Sequence, residues 1–118
     1  MSAASLTLDL PIPPSVNRTK RVDWLGNKKR RQFYLHADLH ITAYGPRPVP
    51  VRMITGPCVL IFEIPQASRV DLSNHCKVLE DYLVSRQFIA GDDKRYVREI
   101  HMKWVDRDVC RVTIEALP

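Results

Sequence analysis

The sequence predicts a small α+β domain with a mixed sheet and two helices. Three observations carry this. Apolar residues alternate with polar ones near both ends of the chain, as in half-buried strands. A dense apolar run, Cys58-Val59-Leu60-Ile61-Phe62-Glu63-Ile64, has the composition of a central strand. Leu72, Cys76, Leu79 and Leu83 recur at the spacing of one helix face. The strands do not alternate regularly with helices, which argues against a doubly wound parallel sheet.

Taken in order, Leu6, Leu8 and Leu10 form the first strand, and Pro11, Pro13 and Pro14 end it. A basic loop over residues 18–34 follows, with Trp24, Phe33 and Tyr34 interleaved and Gly26-Asn27 placed to turn a hairpin. From Leu35 to Tyr44 the spacing is weakly helical, with Leu35, Leu39 and Ala43 on one side. A Pro-rich connection over residues 45–57 carries Pro46, Pro48, Pro50 and Pro57. The central strand ends at Pro65. Asp71 is placed to cap a helix over about residues 72 to 86. The segment from Ile89 to Lys94 is a turn. Ile100, Met102 and Trp104 mark one strand, and Cys110, Val112 and Ile114 another. Asp106-Arg107-Asp108 is expected to join these two as a hairpin. Trp104 is expected in the core or a dimer interface.

The 118 residues fit one domain, 1–118, and 45% hydrophobic content is enough for a modest core. The three cysteines, Cys58, Cys76 and Cys110, form no CxxC pair, which points to a reduced protein without disulfides or a zinc site. The N-terminal stretch MSAASLTLDLPIPP does not read as a signal peptide, and no apolar run could span a membrane.

Charge narrows the function class. With 18 Lys+Arg against 13 Asp+Glu, the formal charge is +5, which favours polyanionic partners. Arg18, Lys20, Arg21, Lys28, Lys29, Arg30 and Arg31 concentrate in one arm. Asp71, Glu80, Asp81, Asp92 and Asp93 gather elsewhere. A metal-using nuclease needs this division: cations hold phosphates while carboxylates hold a metal against one of them. Mg²⁺ takes a few carboxylates together with water and a substrate phosphate. The metal polarises the phosphate and generates hydroxide, and a nearby Lys stabilises the charge that develops. Taken singly, an Asp at a helix cap and an Asp-Asp turn are ordinary structural features. His36 and His40 lie four apart but do not make a metalloprotease motif. His75 neighbours the acidic motif on a different helix face.

Three blocks give a more specific signal. Pro13-Pro14-Ser15-Val16-Asn17-Arg18 follows the first strand. Asp71-Leu72-Ser73-Asn74 continues to Lys77 and Asp81. Phe88-Ile89-Ala90-Gly91-Asp92-Asp93 comes downstream. Their order and spacing resemble the PPSxNR segment, the D-x-D-N-x-x-K-x-x-x-D helix start and the acidic turn of the RusA-type Holliday junction resolvases. The resemblance implies a RusA-like fold, a homodimer, four-way DNA junctions as substrate and Mg²⁺ as cofactor, with Mn²⁺ as substitute and no small-molecule cofactor. It implies Asp71, Lys77 and Asp93 as catalytic residues and Asp71, Asp92 and Asp93 as metal ligands. Ser73, Asn74 and Asp81 would support them. DNA contacts would come from Asn17, Arg18, Lys20, Arg21, Lys28, Lys29, Arg30 and Arg31. It also implies a bacterial cytoplasmic setting and a phage or prophage gene. One position departs: the family's second motif Asp is Ser73 here, and a neutral hydroxyl is a poorer Mg²⁺ ligand. Either Asp71, Asp92 and Asp93 hold the metal with added water, or Glu63, Glu80 or Asp81 compensates, or the chain binds junctions without cutting them well.

Overall fold

The computed structural model describes residues 5–14, 24–44, 53–68 and 71–118. Its elements run β1 (Ser5–Leu10), α1 (Trp24–Tyr44), β2 (Cys58–Pro65), α2 (Leu72–Ser85), β3 (Val97–Val105) and β4 (Cys110–Ala116). The four strands form one mixed sheet in the order β1-β4-β2-β3. β4 pairs antiparallel with both β1 and β2, whereas β3 runs parallel to β2. The expected small α+β domain, with a mixed sheet and two helices, is therefore present.

The alternation seen in the sequence sorts the two sheet faces. Leu6, Leu8 and Leu10 of β1, Leu60, Phe62 and Ile64 of β2, and Cys110, Val112 and Ile114 of β4 are all buried on the inner face. Phe33 and Ala37 of α1 join them in one core with Val78, Leu79, Tyr82 and Leu83 of α2. Burying a side chain such as Phe62 contributes about 1.5–3 kcal/mol. The outer face is largely polar. There Arg111 reaches Asp9 on the neighbouring strand at 2.9 Å.

Three expectations are corrected. First, Gly26-Asn27 does not turn a hairpin. Both residues lie inside α1, which starts at Trp24 and takes up the second half of the expected basic loop. Propensity favours this outcome, because Lys28 to Gln32 is a run of good helix formers and one Gly costs only about 1 kcal/mol. Second, the helix expected from Leu35 to Tyr44 runs from Trp24, and its Leu35/Leu39 side faces outward. Those residues are 63% and 65% exposed, and Phe33 and Ala37 turn inward instead. Third, Asp106-Arg107-Asp108 is not a hairpin turn, because β2 lies between β3 and β4. The segment crosses the end of β2, and two contacts hold it there: Arg107 to Glu63, and Gln66 N–H to the Val105 carbonyl at 2.9 Å. Trp104 lies at the sheet edge and is 42% exposed, so it is not a core residue.

β2 and β3 are parallel, so the chain between them must cross from one end of the sheet to the other. α2 makes that crossing. It ends in a Schellman arrangement: Phe88 N–H bonds to the Leu83 carbonyl at 2.9 Å, and Gln87 N–H to the Val84 carbonyl at 3.1 Å. Gln87 takes the left-handed conformation that closes such a cap, with φ 62°. Ile54 N–H then bonds to the Phe88 carbonyl at 2.8 Å, which fixes the chain leaving α2.

Candidate functional site

The first block of the acidic motif sits at the start of α2. Asp71 is the N-cap, with extended backbone (φ −61°, ψ 146°), but its carboxylate makes no capping hydrogen bond. A capping Asp normally spends its carboxylate on the first-turn N–H groups. Here the side chain is exposed instead. Ser73 is exposed and Asn74 half-buried on the following turn.

Lys77 and the acidic turn meet. Lys77 Nζ lies 3.0 Å from Asp92 Oδ2 and 3.1 Å from Asp81 Oδ1. The hydrogen bond to Asp92, then that to Asp81, holds the Lys77 pKa above its ordinary value, so the ammonium stays charged. Two features set the position of Asp92. Downstream of α2, the chain is fixed by the cap at Gln87 and by Ile54. Position 91 must be small, because a Cβ there would lie 2.8 Å from Tyr96 Cδ2. Gly91 therefore lets the turn pack against Tyr96.

Asp93 turns to a different cation. Arg95 reaches its two carboxylate oxygens, Nε at 3.2 Å and Nη2 at 2.8 Å, and the Arg95 backbone N–H adds a bond at 2.9 Å. The Arg95 hydrogen bonds hold the Asp93 pKa below the usual carboxylate value. Arg95 does not stand out in the sequence. The signal available is its place two residues after Asp93, where a side chain can fold back on the turn.

Asp71 sits at the opposite end of this stretch of α2 from Asp81. Ten residues of helix separate it from Asp81, roughly 15 Å along the axis at 1.5 Å per residue. Among the described residues, no three His, Cys, Asp or Glu side chains gather as a set that could hold a metal. Thus the structure brings together Lys77, Asp81 and Asp92, and it does not bring Asp71, Asp92 and Asp93 into one cluster. Glu80 lies beside the group, with its pKa raised by burial. Cys76 Sγ donates to Glu80 Oε1 at 3.3 Å, and burial pushes this thiol up to about 12.

His75 is a buried anchor, not an exposed proton carrier. It is 0% exposed, with Nε2 2.8 Å from Ser68 Oγ. Burial lowers its pKa, while the backbone carbonyls of Pro14 and Pro13 act in the opposite direction. Nδ1 of the buried ring makes no hydrogen bond among the described residues, so the Ser68 contact is the one that fixes the ring. Asn17, Arg18, Lys20 and Arg21, which follow the Pro13-Pro14 segment, lie outside the described residues.

The rest of the basic arm is helical. Lys28, Lys29 and Arg31 are exposed on the first turns of α1, and Arg30 is half-buried. Two aromatic residues of the arm pack within the fold. Phe33 is in the core, and Tyr34 packs edge-on against Tyr82, with centroids 5.1 Å apart. The side chain of Trp24 is not described.

Sequence reasoning also missed a clamp between the helices. Tyr82 Oη donates to Asp38 Oδ1 at 2.7 Å, and Arg86 donates to both Asp38 oxygens, at 2.9 and 3.0 Å. The Arg86 guanidinium lies 5.2 Å from the Tyr34 ring centroid and 5.6 Å from that of Tyr82. Asp38 is 44 residues from Tyr82 and belongs to no motif, so nothing in the pattern marked the pairing.

No family model and no curated protein matches this chain. Among the described residues, no helix is long and apolar enough to cross a membrane.

Proposed function

We propose that this protein is a Mg²⁺-dependent endonuclease for branched DNA, acting as a homodimer that hydrolyses one phosphodiester in each of two opposed strands of a four-way junction. One observation carries the reading: the Lys77 ammonium sits between Asp81 on α2 and Asp92 on the acidic turn. Two motifs that the resemblance pairs in one site are thus adjacent. A four-way junction has near two-fold symmetry, and paired cuts call for two sites related by the same symmetry.

The roles follow from residue chemistry. Lys77, fixed by its two carboxylates, would stabilise negative charge on the phosphate during hydrolysis. Lys28, Lys29, Arg30 and Arg31 would grip phosphates along α1, with Asn17, Arg18, Lys20 and Arg21 extending the contact. Asp71, Asp92 and Asp93 are the residues that would hold Mg²⁺, which when bound supplies phosphate polarisation and an activated water. Within one subunit these three carboxylates do not gather into one cluster. The bacterial cytoplasm and a phage or prophage gene belong to the same reading.

A second reading is a protein on this fold that binds junctions but cuts them weakly or not at all. The scattered carboxylates favour it, together with Ser73 at the position of a family Asp. A synthetic four-way junction, incubated with the protein and Mg²⁺ or with EDTA, separates the two. Paired Mg²⁺-dependent nicks support the nuclease. Binding without nicks supports the second reading. A preference for RNA over junction DNA argues against both.

A further inference from the structure

β3 is a nine-residue edge strand. Among the described residues its only strand neighbour is β2. Long open edges invite pairing with another chain, and proteins ordinarily shorten, cover or bulge them. Here the register shifts only near its start, beside Arg98, and the described residues leave the rest of the edge open. Arg98, Glu99, Ile100, His101, Lys103 and Trp104 are all exposed, including two large apolar residues, Ile100 at 37% and Trp104 at 42%.

The backbone of β3 is turned to accept a partner. The Val105 carbonyl faces β2, where it accepts from Gln66 N–H at 2.9 Å. Backbone groups of successive strand residues point to alternate sides. Ile100, Met102 and Trp104 therefore direct their N–H and C=O groups outward, away from β2.

The side chains then choose the partner. Fold β3 antiparallel onto a copy of itself about a two-fold axis at His101. Glu99 falls opposite the partner's Lys103, and Lys103 opposite the partner's Glu99. On the inner face, Ile100 meets the partner's Met102, within the regular stretch from Glu99 to Val105 that follows the register shift beside Arg98. Opposite charges and apolar pairs are the cross-strand combinations that stabilise a sheet. Shifting the register by two residues in either direction breaks both Glu99–Lys103 pairs. Shifting it by one sets inner-face residues against outer-face ones.

We propose that β3 is the interface for a second copy of this chain, pairing antiparallel about His101 to join the two sheets into one of eight strands. Glu99 at present contacts His101 on its own strand at 3.3 Å, and the partner's Lys103 would join that pair. The surface deepens the two-subunit part of the proposed function, but it rests on the strand edge and requires no DNA.

The test is the solution mass of the full chain by sedimentation, across a range of concentrations. Wild type should approach twice 13.6 kDa. Glu99→Lys and Lys103→Glu each place like charges opposite one another twice. Each should weaken the dimer by about tenfold or more. The double variant should restore it, and so should an equimolar mixture of the two single variants, because each then supplies the charge the other lacks. Far-ultraviolet circular dichroism should report the same fold for all of them. Wild type that stays monomeric at every concentration overturns the interface. So do single variants that dimerise as wild type does, or a mixture that fails to recover. Junction cleavage is scored separately, so a failed interface and a failed nuclease reading remain distinguishable.

Discussion

Lys77 Nζ and Asp92 Oδ2 lie 3.0 Å apart, although 15 residues of helix end, cap and turn separate them in the chain. This contact joins α2 to the acidic turn, and it also limits what the pairing contributes to stability. The Lys77 side chain is 53% exposed, and exposed ion pairs are worth about 0.2–1 kcal/mol. Selection for stability alone is therefore a weak reason for the arrangement.

Lys77→Ala separates the two roles. It should leave the urea midpoint almost unchanged and leave junction affinity close to wild type. Single-turnover cleavage should fall by at least about 10²-fold, in line with the loss of one charge-stabilising group. Equal losses of binding and cutting would make Lys77 a phosphate anchor.

The basic turns of α1 predict a salt effect. Replacing Lys28, Lys29, Arg30 and Arg31 with Gln should weaken junction binding and flatten the plot of log affinity against log salt, by up to about 0.9 for each phosphate no longer neutralised. Fluorescence anisotropy at several salt concentrations reads this slope. An unchanged slope removes α1 from the DNA interface.

Much of this was legible because it depends on periodicity. The alternation of Leu6-Leu8-Leu10 and of Cys110-Val112-Ile114 placed two strands and their buried faces. The spacing of Leu72, Cys76, Leu79 and Leu83 placed α2. Sheet order was not legible, because periodicity does not report which strands are neighbours. β3 and β4 are close in sequence, yet β2 separates them. The inward face of α1 was also hidden. Leu35 and Leu39 offer an apolar spacing as good as that of Phe33 and Ala37, and tertiary packing decided between them. In the candidate site, the meeting of α2 with the acidic turn was expected from the resemblance, which pairs the two blocks in one site. The pairing of Asp93 with Arg95 and the distance of Asp71 depend on helix length and turn geometry, which residue types do not specify.

The clamp at Asp38 predicts acid sensitivity. The hydrogen bonds from Arg86 hold the Asp38 pKa below its ordinary 3.8. A carboxylate lowered in the folded state contributes stability above its unfolded pKa and loses it as pH falls through the folded value. The loss should therefore appear below about pH 4, and Asp38→Asn should remove that part of the curve. Asp38→Ala should also cost about 1–3 kcal/mol in urea titrations, because it leaves the buried Tyr82 hydroxyl without its acceptor.

His75 acts in a higher range. Burial lowers its folded pKa from 6.5, so the folded state disfavours the protonated ring. Stability should be complete above about pH 6.5 and decline as pH falls from there through the folded value. His75→Gln should flatten this segment of the curve. A wild-type profile that is flat between pH 7 and pH 5 would contradict the assignment.

Gln87 gives a test in the opposite direction. A non-glycine residue at φ 62° carries a steric penalty of about 1–2 kcal/mol that glycine avoids. Gln87→Gly should raise the unfolding free energy from urea titration, by no more than about 1 kcal/mol once the extra freedom of the unfolded chain is counted.

The central claim is that α2 and the acidic turn form one nuclease site, and Asp92→Asn tests it most directly. The measurement is cleavage and binding of a four-way junction in Mg²⁺ by wild type and variant side by side. The account predicts paired nicks from wild type and, from Asp92→Asn, binding within a few fold of wild type with cutting lost. Cutting at the wild-type rate by Asp92→Asn, or no cutting by wild type itself, would contradict it.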